Sequence, residues 1–394
     1  MRITCTLILL VIAALAHTQA AAQTTVGQIT KAEVQLQPIP QARPLYKPDT
    51  VKIVVLGDIM MHTLQIKNAL KGDSCYNFNS YFRHIENRIK EADIAIGNME
   101  YTLSGLPYTG YPCFSAPDSF PEYLARTGFD IFLCANNHIF DKGAAGAERT
   151  IRMYENLSRQ YGILHTGLRT EVDKQNNSAL QKSNIPLSVA RKGIRIAILN
   201  FTYGTNSSPG KEFPKVNRLT DKHLIKQAFS EVRDTDIIIA LPHWGTEYVL
   251  RHSASQRRDA EFLAEEGADI IIGSHPHVVQ DYEHINGVPV IYSLGNAVSN
   301  MSAPNTQVEL MAEINIIRES NGDLSVLEPE LTWLWCSRPG GYGNSYTVIP
   351  IEEFIGRRTE WNGEWDYDKM ISSWIRVSSA TGIRRSNNTD KNDI

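Results

Sequence analysis

The chain has 394 residues, 42% of them hydrophobic and 21% charged, with a formal net charge of -4 at pH 7. That length and balance suit one large catalytic domain or two ordinary ones, and they exclude a fibrous or disordered chain. Lys, Arg, Asp and Glu are well mixed, without the basic stripe that tracks nucleic-acid phosphates, so no nucleic-acid partner is expected.

Arg2 precedes an apolar run over residues 3–16, and small residues follow at Ala20, Ala21 and Ala22. This is the layout of a secretory signal peptide over residues 1–22, and the run falls short of the roughly 20 apolar residues that span a bilayer. An exported protein is expected, in the periplasm, the cell envelope or outside the cell, meeting the membrane only through its export signal. An oxidising compartment would leave Cys75, Cys113, Cys134 and Cys336 open to disulfide formation. Cys134 lies within the apolar run 131–135 and reads as a small buried hydrophobe. The other three sit in loop-like surroundings, and a Cys75–Cys113 bridge is one option that sequence cannot decide. Residues 23–50, rich in Gln, Pro and Thr without apolar periodicity, read as a linker.

The fold begins at Val51. Short β-branched runs at 51–56, 94–97, 131–135, 195–200, 236–241, 270–273 and 290–294 read as buried strands, while 80–91, 143–161, 221–233 and 255–266 carry helical spacing. Their alternation predicts an α/β domain over residues 51–349, with helices covering sheets. Segments 309–317 and 326–335 are strand-like with only a turn at 319–323 between them, and a terminal hairpin closing the second sheet is expected. An aromatic extension over residues 350–377 holds Trp361, Trp365, Tyr367 and Trp374 and is expected to pack back as a helix. Residues 378–394 are polar and read as a disordered tail.

Candidate chemistry falls directly after strands, where an α/β sheet presents its binding crevice. Gly57-Asp58-Ile59-Met60-Met61-His62 offers a carboxylate and an imidazole, a set that suits zinc, manganese or iron, although Gly-Asp after a strand also makes a turn. Gly97-Asn98-Met99-Glu100 supplies Glu100, an anion able to bridge two ions and offset their repulsion. The plainer option there is Asn98 capping a turn and Glu100 in solvent. In Asn136-Asn137-His138-Ile139-Phe140-Asp141, Asn137 suits a neutral ligand and His138 a general acid oriented by Asp141, against turn asparagines and a half-buried histidine.

His243 follows the strand at 236–241 and is placed to bind a metal, with Glu247 to orient an imidazole, although a single histidine in such a place is usually structural. Gly273-Ser274-His275-Pro276-His277 brings two imidazoles one residue apart on a turn stiffened by Pro276. Asn296, after the last of the buried strands, is either pocket wall or turn. Five segments each delivering an oxygen or imidazole at one end of the sheets outweigh the separate turn readings. The predicted metal ligands are Asp58, Glu100, Asn137, His243, His275 and His277, and the predicted catalytic pair is His138 and Asp141.

These segments supply seven ordered motifs: G-D-I-M-M-H, G-N-M-E, G-Y-P-C-F-S-A-P, A-N-N-H-I-F-D-K-G, H-W-G-T-E-Y, G-S-H-P-H-V and Y-S-L-G-N. Running from about residue 51 to residue 300, they resemble the bacterial capsule-synthesis CapA family, also called poly-gamma-glutamate biosynthesis proteins. That family is similar to calcineurin-like metallophosphoesterases, so the resemblance implies a four-layer αββα sandwich of two mixed sheets and two divalent metal ions, Mn, Zn or Fe. One ion would be held by Asp58, Glu100 and His277, with His62 as a further candidate, and the other by Glu100, Asn137, His243 and His275. Two departures from the phosphoesterase pattern bear on His62 and the geometry. Three residues rather than one separate Asp58 from His62, and the bridging acid is Glu100 rather than an aspartate beside the glycine.

The implied function is a two-metal hydrolase of a phosphoester or related bond, acting on an envelope polymer or a phosphorylated precursor, with polymer-export machinery as a candidate partner. The alternative is a non-catalytic factor that holds an anionic capsule polymer during export or anchoring. Segments 105–115 and 202–215, rich in Gly, Pro, Tyr and Ser, are expected to rim the site.

Overall fold

Val51, Ile53 and Val55 alternate with Val54 and Leu56, and all five are buried, so the first strand is apolar on both faces and needs cover on both sides. The computed structural model describes residues 49–169, 185–208, 210 and 214–384. The expected signal peptide, nearly all of the linker and the last ten residues of the expected tail lie outside them. Strand β1 (Asp49–Ile59) pairs parallel with β2 (Ile94–Met99), and β3 (Ile131–Leu133) and β4 (Leu164–Thr166) extend that sheet in parallel. In a second sheet, β5 (Leu187–Arg191) turns back antiparallel onto β6 (Ile194–Thr202). From β6 the sheet runs parallel through β7 (Ile237–His243) and β8 (Ile270–Ile272). The hairpin of β9 (Tyr282–Ile285) and β10 (Val288–Ile291) closes this sheet, with β10 parallel to β8.

The hairpin expected to close the second sheet instead completes the first. Strand β11 (Val308–Arg318) pairs antiparallel along β1, with Val51 opposite Ile316. Beyond it come the short β12 (Leu324–Val326), then β13 (Glu330–Ser337) and β14 (Thr347–Pro350), giving the order β14-β13-β11-β1-β2-β3-β4 with β12 also on β11. The free edge of β1 would otherwise leave a row of backbone groups unpaired inside the protein, and a strand of equal length satisfies them. Apolar patterning says that 309–317 is a strand but not which edge it joins.

Three hydrophobic clusters define the layers. Ile53, Val55, Ile94, Ile96 and Ile131 from the first sheet meet Ile196, Ile198, Ile239, Leu241 and Ile270 from the second, forming the core between the sheets. The alternate residues Val54, Leu56, Ala95 and Phe132 face outward onto α1 (Thr63–Ala69), α2 (Glu86–Lys90), α3 (Ser119–Thr127) and α4 (Gly143–Tyr161). Ala197, Leu199, Ile238, Ala240 and Ile271 face α5 (Lys222–Glu231) and α6 (Ala254–Glu266). The protein is a four-layer αββα sandwich of two mixed sheets.

Helix α2 is shorter than the helical spacing over 80–91 suggests. The Ile85 amide donates to Phe82 rather than to Tyr81, whose carbonyl accepts the amide of Val348 on β14. That long-range bond ends the helix early on its N-terminal side. After the single turn α7 (Ile351–Phe354), the aromatic extension forms α8 (Glu364–Thr381) and buries Trp361, Tyr367 and Trp374 while leaving Trp365 exposed. The helix runs three residues past Ser378, where a disordered tail was expected to begin, because Ser378 and Thr381 are buried against the domain. Cys134 is buried as expected. Cys336 lies buried in β13 rather than in a loop, and Cys75 and Cys113 are exposed with free thiols. Among the described residues no helix is long and apolar enough to cross a membrane.

Candidate metal centre

The parallel strands of both sheets deliver their C-terminal ends to one crevice, and the backbone is shaped there by close approach. A Cβ on Gly57 would lie 2.0 Å from the Gly295 carbonyl oxygen, and one on Gly273 would lie 2.1 Å from that of Tyr292. Only glycine lets β1 and β8 turn into the crevice at those points. The Asp58 amide donates to Gly295 at 3.0 Å, which ties the end of β1 to the segment following β10.

Asp58, Glu100, Asn137, His138, Asp141, His243, His275 and His277 are all buried and converge here. Asp58 Oδ2 lies 3.1 Å from His277 Nδ1 and accepts the His275 amide at 3.2 Å. Asn137 Oδ1 lies 2.9 Å from His243 Nε2. Glu100 Oε1 sits 3.7 Å from His277 Nε2, 3.8 Å from His243 Nε2 and 3.9 Å from His138 Nε2, and it has no hydrogen-bond partner. Those separations are too long for hydrogen bonds. They approach the roughly 3.0–3.5 Å between two donor atoms that each lie about 2.1 Å from one ion. His275 Nδ1 is likewise buried without a partner. Donor atoms within 4.8 Å of one another group as Asp58, Glu100 and His243, and as Glu100, His275 and His277. Both groups share Glu100, the expected bridge, although they divide the histidines differently from the division the resemblance implied.

Electrostatics fit a cationic occupant. Burial and the neighbouring Asp58 push the Glu100 carboxyl well up. Burial also acts upward on Asp58, but the hydrogen bond and charge of His277 outweigh it and hold that carboxyl far below the usual range. Burial, with the adjacent imidazoles, drives His243 well down and His275 down to about 3, so both are neutral and keep a lone pair for a metal. A divalent cation beside Glu100 offsets the repulsion that raises it.

His138 and Asp141, the predicted catalytic pair, also come together. His138 Nδ1 lies 2.7 Å from Asp141 Oδ2, which additionally accepts the Phe114 amide at 2.8 Å. The ring of Phe114 meets that of His138 edge-on at 4.7 Å. His62 joins neither group of donor atoms: its Nδ1 faces Gln65 Oε1 at 3.1 Å, it caps α1, and burial lowers its pKa to about 4. Glu247, expected to orient an imidazole, is exposed, and Ser274 Oγ takes that place at 2.9 Å from His243 Nδ1. The loop of Glu247 diverges because its neighbours Gly245 and Tyr248 both adopt left-handed conformations.

Residues 52–301 match the family described as bacterial capsule synthesis protein PGA_cap. The chain belongs to that family. It is 27% identical over 294 residues to the capsule biosynthesis protein CapA of Bacillus anthracis, a match covering 71% of this chain and 67% of that protein. It is also 27% identical to the PGA biosynthesis protein CapA of Bacillus subtilis (strain 168), covering 71% and 72%. Among solved structures, the NAD nucleotidase NadN of Haemophilus influenzae resembles it with a TM-score of 0.43 at 12% identity, over 86% of this chain and 69% of that one. The 5'-nucleotidase of Candida albicans SC5314 does so with a TM-score of 0.41 at 11% identity, over 86% and 60%.

Several residues of this capsule-synthesis family member have roles beyond their sequence readings. Asn98, which could pass for a turn cap, donates from Nδ2 to Asp58 Oδ1 at 2.7 Å and approaches His243 Nδ1 at 3.3 Å. Its Oδ1 accepts from Asn136 at 3.3 Å, and Asn136 Oδ1 in turn accepts the His138 amide at 3.1 Å. The strand expected from sequence stops at residue 97, one short of Asn98, which hid it as a buried amide in need of partners. Asn296 Oδ1 meets His277 Nδ1 at 2.9 Å and so fixes that ring. Among the described residues, one member of each expected rim segment meets the centre: Asn206 donates its amide to the Asn137 carbonyl at 2.8 Å, and the Phe114 ring meets that of His138. Tyr203 lies inside the expected rim 202–215, and Tyr248 ends the H-W-G-T-E-Y motif. Burial, then Glu247, then Tyr111 raise the Tyr248 phenol, which leaves it protonated at the mouth of the crevice.

Proposed function

We propose that this protein is an exported, two-metal hydrolase of capsule-polymer biosynthesis, cleaving a phosphoester or related bond in an envelope polymer or its phosphorylated precursor. The observation that carries this reading is the buried, unpartnered Glu100 Oε1 lying 3.7–3.9 Å from three imidazole nitrogens. In this reading Glu100, Asp58, Asn137, His243, His275 and His277 would together hold two divalent ions, with Glu100 common to both. Bound divalent ions supply Lewis acidity for the scissile centre and activate water for in-line attack. The chain's own residues do the rest. Asp141 holds His138 through Nδ1 and leaves Nε2 to carry a proton to the leaving group. Asn296 and Ser274 fix the rings of His277 and His243.

The competing reading, a factor that only holds an anionic polymer, has no use for a buried His138–Asp141 pair beside the ligands. Purified protein would be assayed for bound metal and for turnover of a panel of phosphate esters and glutamyl polymers, with His138→Ala as control. Metal near two per chain and turnover lost in the variant is the expected result. Bound metal and tight polymer binding without turnover would favour the holding factor, and absence of metal under replete conditions would sink both.

A further inference from the structure

Three tyrosines from three separate loops stand around the mouth of the metal crevice without filling core. Tyr203 and Tyr248 are each 42% exposed and Tyr111 is 71% exposed. Tyr203 follows β6, with its ring centroid 4.5 Å from that of His275 and stacked at 6.4 Å on His243. Tyr248 follows β7, 6.3 Å from the ring of His277. Tyr111 reaches the crevice through Phe114, at 6.5 Å, whose ring abuts those of His138 and His62. Two of the three are pinned at the backbone to the segments bearing the imidazoles: the Tyr203 amide donates to the His243 carbonyl at 2.9 Å, and the Tyr248 amide to that of Pro276 at 2.8 Å. Tyr248 also has φ 66°, a left-handed conformation that costs free energy in a bulky residue and persists only where its surroundings enforce it. Held this way, the ring stays over His277 instead of folding onto apolar surface.

Such a collar selects by shape and polarity. Each tyrosine offers a flat apolar face, electron-rich at its centre, and a hydroxyl at its edge. A sugar ring matches both, with C–H groups on its faces and hydroxyls around its rim. A glutamyl chain matches neither, because its carboxylates meet electron-rich ring faces and the exposed Glu247 beside Tyr248. We infer that Tyr111, Tyr203 and Tyr248 are specificity-determining residues that clasp a saccharide ring whose phosphoryl group lies at the metal centre. This rests on the hydrolase reading for the phosphoryl position, and it makes the group held at the mouth a sugar rather than a carboxylate-bearing chain.

Binding is measured by calorimetry on the full chain in Mn²⁺, in a His138→Ala background that suppresses turnover. The probes are glucose 6-phosphate, 1-butyl phosphate, triglutamate and inorganic phosphate. The sugar ester is expected to bind about tenfold tighter than the butyl ester. Tyr203→Ala and Tyr248→Ala should each reduce that preference several-fold while leaving inorganic phosphate affinity in place, and the Phe replacements should retain most of it. Equal binding of the two esters, tighter binding of triglutamate, or alanine variants that keep the preference would overturn the inference. The two esters compared on unaltered tyrosines decide the matter even if an alanine variant fails to fold. Turnover by the wild type separates the readings. Hydrolysis of esters without a sugar preference removes the collar and keeps the hydrolase, whereas a sugar preference without hydrolysis does the reverse.

Discussion

The two sheets contribute unlike halves to the centre. The first carries the candidate oxygen donors and acid, Asp58 at the end of β1 and Glu100, Asn137 and His138 in the segments following β2 and β3. The second supplies imidazoles, His243 at the end of β7, and His275 and His277 in a turn where both take left-handed φ, 99° and 59°. Neither half is complete alone. Glu100 is destabilised as an anion by burial and by Asp58 within its own half, and the atoms facing its free oxygen are imidazole nitrogens, two of the three from the other sheet. The cluster therefore depends on how the sheets pack, and the isoleucine-rich layer between them fixes how the two halves face each other.

Removing the bridge should break this division most severely. Glu100→Gln is expected to lower metal content from about two per chain to one or fewer and to reduce turnover on the order of a thousandfold, read by elemental analysis and steady-state kinetics. His138→Ala belongs to the same half yet should separate chemistry from binding, losing about 10²–10⁴-fold in turnover with metal content unchanged. Asn296→Ala, which frees the His277 ring in the other half, should weaken metal affinity by roughly 10–100-fold in a chelator competition. A loss confined to turnover would mean that Asn296 acts on substrate instead.

A smaller effect isolates folding from the centre. His165 on β4 is buried and has its pKa lowered by that burial to about 4, against 6.5 in the unfolded chain. Because the unfolded state binds the extra proton first, its contribution to stability is complete above about pH 6.5, is lost as pH falls towards 4, and amounts to about 3 kcal/mol. His165→Phe should flatten the acid limb of the thermal-melting profile across that window. An unchanged slope would place the acid sensitivity elsewhere.

That the candidate ligands converge could be read from sequence because each stands directly after an apolar β-branched run, and the strand fixes where the next residue emerges. The same logic found α4 over Gly143–Tyr161, a segment with strong 3.6-residue periodicity and a glycine at each end. What escaped depends on contacts between distant segments. The edge of β1 that takes β11 is a matter of tertiary pairing. The shortening of α2 depends on Val348, 267 residues from Tyr81. Asn98 was legible only as a turn former until Asp58, His243 and Asn136 surrounded it. Ser274 displaced Glu247 as the partner of His243 because the turn after β8 reaches the end of β7, a proximity that no local pattern encodes.

The central claim is that one carboxylate joins two ions contributed to by both sheets. Electron paramagnetic resonance of the full chain titrated with Mn²⁺ tests it directly. A spin-coupled pair at two ions per chain, absent in Glu100→Gln, is the predicted result. Uncoupled single-ion spectra at saturation in the wild type, or a coupled pair that survives Glu100→Gln, would contradict it.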